Sequence, residues 1–133
     1  MNGWGDANLP ISPLAVSKAA NITLWVIQVL LCLGFLVAGG LKLAGDAEQV
    51  KNFALIGFGQ WFRYVTGTIE IVCAIMVLIP RLARIAAMLL ACVMICALIA
   101  HLTVLGIDPG IIAPPILLAM ALVVARFRGQ RRP

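Results

Sequence analysis

The sequence predicts an all-α integral membrane protein: an up-down-up-down four-helix bundle with a short interfacial helix between the first and second spans. Three observations support this prediction. Of the 133 residues, 63% are apolar and only 11% are charged, whereas a soluble globular chain carries roughly 25% charged residues. The apolar residues are concentrated in four long stretches. Short segments join the later stretches, which is typical of antiparallel neighbours in a bundle.

The four predicted spans occupy about residues 22–41, 62–79, 85–105 and 111–125. An apolar helix needs ~20 residues to cross a ~30 Å hydrocarbon core, so the fourth span is shorter than a full crossing. Asn21 is expected to cap the first helix. The run 30–38 also resembles the apolar part of a cleaved signal, but its position within a stretch of spanning length favours a retained helix. The chain is thus divided into a cytoplasmic N-terminal segment, a transmembrane domain and a basic cytoplasmic tail, at residues 1–20, 21–125 and 126–133.

Residues 46–60 are predicted to form a short amphipathic helix at the outer membrane interface. Asp46 is a competent N-cap, and Gly57 and Gly59 are expected to close the helix. The apolar stripe of this helix consists of Val50, Phe53, Ala54 and Ile56. An aromatic belt typical of an interface follows it, at Trp61, Phe62 and Tyr64.

The basic residues predict the orientation, because Lys and Arg are retained on the cytoplasmic side of short loops. One side of the membrane receives seven of the ten basic residues: Lys18, Arg81, Arg84, Arg126, Arg128, Arg131 and Arg132. The other side receives Lys42, Lys51 and Arg63. Both termini are therefore predicted to be cytoplasmic, in a multi-pass protein of the cell membrane. The arginine-rich tail is expected to contact anionic lipid, and no nucleic-acid partner is expected.

Several chemistries find no support in the residues. The four cysteines fall within predicted spans, and none forms a C-x-x-C pair, which disfavours zinc binding and disulfide exchange. The chain has a single histidine and lacks a nucleotide-phosphate loop, a G-x-S-x-G elbow and an H-E-x-x-H motif. No metal site is predicted, and whether the protein is an enzyme stays open.

A few ionisable residues fall in or at the ends of the predicted spans, where a charge is costly and tends to have a use. Glu70 lies about two turns into the second span from the outer side, and His101 lies about one turn inside the outer end of the third. Lys42 ends the first span in the same layer, while Arg63 and Gly67 share a helix face with Glu70. We expect these five residues to form a polar ligand-binding pocket that opens outward.

Each of these residues also has a structural interpretation. Glu70 is equally consistent with an ion pair to Arg63 or a hydrogen bond to the hydroxyl of Thr66. The side chain of His101 can extend to the interface, and Lys42 and Arg63 are typical interface anchors.

Four short motifs stand at the functional positions and at the start of the fourth span: Gly39-Gly40-Leu41-Lys42-Leu43, Gly67-Thr68-Ile69-Glu70, Ala97 to His101, and Pro114-Pro115. Together they resemble the DoxX-like family of small four-helix membrane proteins, over roughly residues 26–125. The resemblance implies an up-down four-helix bundle. By the same resemblance, the positions to carry over as functional are Lys42, Gly67, Glu70 and His101.

The functions that the resemblance implies are varied. The family's namesake is linked, as a membrane subunit, to a quinone-reducing sulfur oxidoreductase. Other members resemble parts of membrane redox-stress complexes, and distant animal relatives assist receptor assembly.

The leading hypothesis is therefore an accessory subunit of a membrane redox complex, whose outward pocket binds a quinone-like or lipid ligand. The expected cofactor is a quinone, with no cofactor bound covalently. The expected partners are membrane lipid and another membrane or redox protein. Two alternatives stay open. One is a non-enzymatic assembly or chaperone-like partner that grips another protein through small-residue faces, such as those of Gly34 and Gly67. The other is a small transporter made by a homo-oligomer.

Overall fold

The computed structural model describes residues 13–129. Within that range the chain is helical apart from short connections, and it contains no strand. A π-helical segment, His101–Leu105, continues the fourth α-helix, and a 3₁₀ segment, Pro109–Ile112, leads into the fifth. The α-helices are α1 (Pro13–Ala44), α2 (Ala47–Ile56), α3 (Gln60–Met76), α4 (Ala83–Ala100) and α5 (Ala113–Gly129).

The helix α1 packs along α3 and α5, and α4 packs along the same two helices. Contacts at two levels show that α1 and α3 are antiparallel. Near the end of α1, Gly39 lies against Gly67, and nearer its start Gln28 bonds to the carbonyl of Val77, just past the end of α3. Gln28 also bonds to Arg128 in the last turn of α5. The early part of α1 and the last turn of α5 therefore lie at the same end of the molecule.

The apolar core lies between these four helices. Its largest fully buried apolar side chains are Leu31, Phe35, Val77, Leu90 and Val124. The face of α4 toward the core is built mostly from small residues, which let neighbouring helices approach closely. These residues are Ala83, Ala86, Ala87 and Ala91.

The outer surfaces of the helices are apolar. On α1, large apolar side chains three or four residues apart are exposed from residue 22 to residue 37: Ile22, Val26, Val29, Leu33 and Val37. A continuous exposed apolar stripe of this kind suits lipid rather than water. Three described segments are long and apolar enough to cross a membrane, namely Lys18–Ala44, Ala83–Leu105 and Pro109–Arg128. These segments are those of a membrane protein.

The predicted second span corresponds to α3, which is the shortest of the four long apolar segments. It has 17 residues and carries two buried charged side chains, those of Arg63 and Glu70. The helix ends at Met76, earlier than predicted, because residues 77–82 form the turn into α4.

The predicted ends of the first and fourth spans need correction. Asn21 does not cap α1, which already includes residues from Pro13 onward. The side chain of Asn21 instead accepts a hydrogen bond from Arg128. The fourth span is not short, because the 3₁₀ segment precedes α5 and α5 continues through Arg126 and Arg128. Parts of the predicted terminal segments, residues 1–12 and 130–133, lie outside the described residues.

The short helix predicted between the first and second spans is present as α2. As predicted, Asp46 is its N-cap, accepting a bond from the amide of Gln49, and Gly57 ends it with a left-handed φ of 89°. Phe53 of the predicted stripe is buried and packs on the ring of Phe62, at 5.8 Å between centroids. Ala54 is exposed, so the stripe is narrower than predicted. In the predicted aromatic belt, Trp61 and Tyr64 are exposed and Phe62 is half-buried.

Candidate ligand-binding site

A pair of glycines brings the end of α1 against the middle of α3. A Cβ on Gly39 would lie 2.8 Å from the carbonyl oxygen of Gly67 and 2.8 Å from a side-chain carbon of Ile71. A Cβ on Gly67 would lie 3.0 Å from the Cβ of Lys42. At Gly39 only glycine fits without a shift of the backbone, and at Gly67 an added methyl group would make its neighbours move by a few tenths of an ångström. The close approach therefore places Lys42 directly beside α3.

Lys42 and Glu70 form an ion pair across this contact. Lys42 Nζ lies 3.2 Å from Glu70 Oε2, and the exposed fractions of the two side chains are 13% and 0%. Both carboxylate oxygens are buried without a hydrogen-bond partner among the described residues, and Oε1 is the one that lacks the ion-pair contact as well. A fully buried carboxylate with one partner is incompletely compensated. One acceptor thus remains available beside one cationic donor.

Arg63 holds the backbone of this arrangement in place. Arg63 as a whole residue is 4% exposed. Its Nη1 donates to the carbonyl oxygen of Lys42 in the last turn of α1, and its Nε donates to Gln60 Oε1 at 2.7 Å. It also lies over the ring of Tyr64, 4.3 Å from the centroid. A cation at a helix C-terminus satisfies a free carbonyl and the helix dipole. Arg63 is therefore a buried clamp rather than an exposed interface anchor.

The partner of Glu70 differs from both structural alternatives that the sequence allows. Arg63 bonds to the backbone of α1 instead of the carboxylate, and the hydroxyl of Thr66 bonds to the carbonyl of Phe62 at 2.8 Å. We call Lys42, Arg63, Gly67 and Glu70 the Glu70 cluster. Four of the five predicted site residues are thus neighbours.

His101, the fifth, lies where α4 changes into the π-helical segment. Its side chain is buried, and its Nδ1 is 3.5 Å from Asp108 Oδ1 in the connection to α5. At that distance the contact is too long for a good hydrogen bond. A Cβ on Gly110 would lie 3.4 Å from the imidazole Cε1, so this connection also covers the ring. The structure pairs His101 with Asp108, and the ion pairs of the described residues do not join it to the Glu70 cluster.

A second polar cluster, at the other end of the molecule, is missing from the sequence prediction. Gln28 is fully buried; its Nε2 donates to the carbonyl of Val77 at 2.6 Å, and its Oε1 accepts from Arg128 Nε at 2.7 Å. Arg128 Nη1 donates to Asn21 Oδ1 at 2.9 Å. We call Asn21, Gln28, the Val77 carbonyl and Arg128 the Gln28 cluster. A single glutamine in an apolar run was the only sequence signal of this cluster.

The thiols are separate from both clusters. Cys32 and Cys73 are buried in the apolar core, Cys92 and Cys96 are exposed, and all four are free. Cys92 and Cys96 thus lie on a different side of α4 from the buried His101. No group of three or more metal-ligating side chains occurs in the part of the chain that the structure describes.

Comparison with known proteins identifies the family of the chain. A family model described as the DoxX-like family matches residues 26–124, which is most of the chain. All four motifs of the sequence resemblance lie within the matched range, so the match confirms that resemblance. Neither the curated proteins nor the solved structures gave a match.

Proposed function

Because the chain belongs to the DoxX-like family, we propose that it is an accessory membrane protein in which Lys42 and Glu70 hold the polar head of a quinone-like ligand. The observation that carries this proposal is the buried ion pair with an unused carboxylate oxygen. The ammonium of Lys42 can donate to a quinone carbonyl. The Oε1 of Glu70 can accept from a quinol hydroxyl. The two groups therefore match both redox forms of such a head group.

The proposed topology is the up-down-up-down bundle of four spans, with α3 as the additional crossing. Its support is the antiparallel packing of α1 on α3. Because α3 runs alongside α1 in the opposite direction, it lies at the same depth as a helix long enough to cross a membrane. The two charged side chains of α3 face the protein interior, which lowers the cost of placing them in a membrane. The distribution of basic residues supports a cytoplasmic position for both termini, which would put the Glu70 cluster in the outer half of the membrane.

Access to the pair is from the outer side. Glu70 is fully covered, whereas the Lys42 side chain keeps a small exposed fraction at the end of α1. Lys42 has a long flexible side chain, so its displacement opens the carboxylate to a ligand head group while Arg63 keeps the backbone fixed.

The ligand head group would lie beside the glycine contact between α1 and α3, where the walls are apolar. Leu43 and Ile71 flank that contact. When bound, a quinone supplies two-electron redox chemistry. The chain itself contributes a cation, a hydrogen-bond acceptor and exclusion of water, and the electrons come from a partner oxidoreductase.

The assembly hypothesis has no specific observation in its favour. The small residues that were candidates for gripping a partner are used within the chain: Gly34 lies against Leu117 of α5, and Gly67 lies against Gly39.

The test is the amount of quinone that remains with protein purified in native-lipid particles, measured by mass spectrometry per mole of protein. Glu70→Gln and Lys42→Met each remove one charge-assisted contact, and we expect bound quinone to fall about tenfold for each variant. Glu48→Gln and Lys51→Met make the same chemical changes at exposed positions of α2 and should retain the wild-type amount.

Two results would overturn the proposal. One is a wild-type protein that carries no quinone in membranes that contain quinone. The other is equal retention by the site variants and the α2 variants, with all of them folded by circular dichroism.

A further inference from the structure

An apolar groove runs along the exposed side of α1 near the Gln28 cluster. It is shallow and open, with a volume of about 280 Å³, and it is lined by four side chains of α1 itself: Trp25, Val26, Val29 and Leu30. All four side chains are exposed on a helix that is long and apolar enough to cross a membrane. In a membrane, an open groove of this composition is filled by the acyl chain of a lipid.

A positive charge is fixed at one end of this groove. The guanidinium of Arg128 lies over the ring of Trp25, 5.3 Å from its centroid. Its bonds to Gln28 and Asn21 hold it there. Asn21, Trp25 and Gln28 are spaced four and three residues apart, so all three project from one face of α1. Trp25 is thus both a wall of the groove and the platform for the cation.

The charged side chains described at this end of the molecule are all basic. Among the described residues, it carries five basic side chains: Lys18, Arg81, Arg84, Arg126 and Arg128. The described acidic residues lie elsewhere, at Asp46, Glu48, Glu70 and Asp108. A lipid whose chain enters the groove would bring its head group into this field. The Arg128 guanidinium already donates to Gln28 and Asn21, and its Nη2 is buried, so the surrounding positive field, rather than a direct bond, selects for net negative charge.

From the groove and the charge together, we propose that this end of the protein binds an anionic phospholipid, with an acyl chain along Trp25 to Leu30 and the phosphate beside Arg128. The positive field favours an anionic head group over a zwitterionic one, because the amine of the zwitterion is repelled. The site is remote from Glu70 and does not depend on a quinone.

The experiment measures lipid selectivity by native mass spectrometry, after reconstitution in a mixture of phosphatidylglycerol and phosphatidylcholine. The wild type should retain phosphatidylglycerol in excess of its share of the mixture. Val29→Trp fills the groove without touching a charge or a hydrogen bond, so it should abolish that excess. Val37→Trp adds the same volume at an exposed position on α1 outside the groove and should leave the excess unchanged.

The charge is tested separately. Arg81→Gln and Arg84→Gln, both at exposed positions, should each lower the preference for phosphatidylglycerol about fivefold. Lys51→Gln, at the other end of the molecule, should not change it. Arg128 is left intact because it bonds to the buried Gln28.

Three outcomes would overturn the proposal: no anionic preference in the wild type, equal effects of the two tryptophan variants, or a groove variant that displaces quinone or a copurified protein in place of phospholipid. A protein that loses quinone in Glu70→Gln but keeps its lipid preference would support this site. So would one that keeps the preference without ever binding quinone.

Discussion

The Glu70 cluster and the Gln28 cluster differ in how completely they are satisfied. Each contains one polar side chain that is fully buried between α1 and a neighbouring helix. Gln28 uses both the nitrogen and the oxygen of its amide in short hydrogen bonds. Glu70 has one oxygen beside Lys42 and leaves the other without a partner in the described residues.

This difference separates a structural contact from a candidate site. A neutral amide whose nitrogen and oxygen are both hydrogen-bonded needs no ligand to offset its burial, and it joins α1, α3 and α5 at one end. A buried carboxylate with an unused oxygen costs stability. Such a group is expected where the protein has a use for it. Substitutions in the Glu70 cluster should therefore change both ligand retention and stability, whereas a substitution of Gln28 should change stability alone.

The largest expected effect is on Lys42→Met, which removes the one cation beside a buried carboxylate. We expect the free energy of unfolding to fall by about 3–5 kcal/mol, the usual result of leaving one member of a buried ion pair alone. The measurement is a titration with sodium dodecyl sulfate in mixed micelles, followed by circular dichroism.

The double variant Lys42→Met/Glu70→Gln is the control for this prediction. It removes both charges, so it should recover most of the lost stability, as a double-mutant cycle on a true pair requires. If the single variant were as stable as the wild type, the two side chains would not be paired in the folded protein.

The next effect is on Gln28→Met, which keeps the side-chain volume and removes both hydrogen bonds. The Val77 carbonyl and Arg128 each lose a partner. We expect the free energy of unfolding to fall by about 1–3 kcal/mol. Quinone retention should stay at the wild-type amount. Loss of quinone in this folded variant would mean that the two clusters act together, contrary to the comparison.

The sequence predicts which residues of the Glu70 cluster lie close together, because their depth in the bundle follows from the number of helix turns. Counting helix turns from the outer ends of two antiparallel helices places Lys42 and Glu70 in one layer, and the structure pairs them. Helix spacing also predicts that Arg63 and Gly67 share the face of Glu70. The direction of the Arg63 side chain, toward the α1 backbone, depends on where α1 ends.

The Gln28 cluster and the position of His101 are harder to predict. The partners of Gln28 are 49 and 100 residues away in the chain, and one polar residue barely changes the hydropathy of a long apolar run. His101 lies at the change from α- to π-helix, which alters the direction of each later side chain. Its partner Asp108 is in a connection whose conformation the helix pattern does not determine.

The ends of the helices are also hard to predict where they depend on residues far away in the chain. The apolar pattern predicts the existence and order of the helices, and Asp46 and Gly57 predict both ends of α2. The apolar pattern, however, predicts that the fourth span ends just before the first charged residue that follows it. Arg126 and Arg128 instead continue α5, since Arg128 bonds to partners on α1.

Smaller effects on the free energy of unfolding, opposite in sign, are expected at two neighbouring glycines of α1. Gly39→Ala places a methyl group 2.8 Å from the Gly67 carbonyl, so we expect a net loss of about 1 kcal/mol, overpacking outweighing the gain in helix propensity. Gly40→Ala adds the same methyl group where nothing lies within 4 Å. It should raise the free energy of unfolding by roughly 0.5–1 kcal/mol, because only the propensity term acts.

Only Gly39→Ala should also lower quinone retention, since it separates Lys42 from Glu70. Equal changes in both alanine variants would show that α1 and α3 do not approach at Gly39.

The smallest effect is expected for Asp108→Asn. Its Oδ1 is 3.5 Å from His101 Nδ1, too far for a good hydrogen bond, and its side chain is 37% exposed, so the contact contributes less than about 1 kcal/mol. The amide keeps the size and the oxygen of the side chain, and quinone retention should be unchanged. The measurement is unfolding and bound quinone together, beside Glu70→Gln in the same preparation. Loss of quinone in Asp108→Asn would place His101 in the ligand site after all, because no other described ion pair links this connection to a buried side chain.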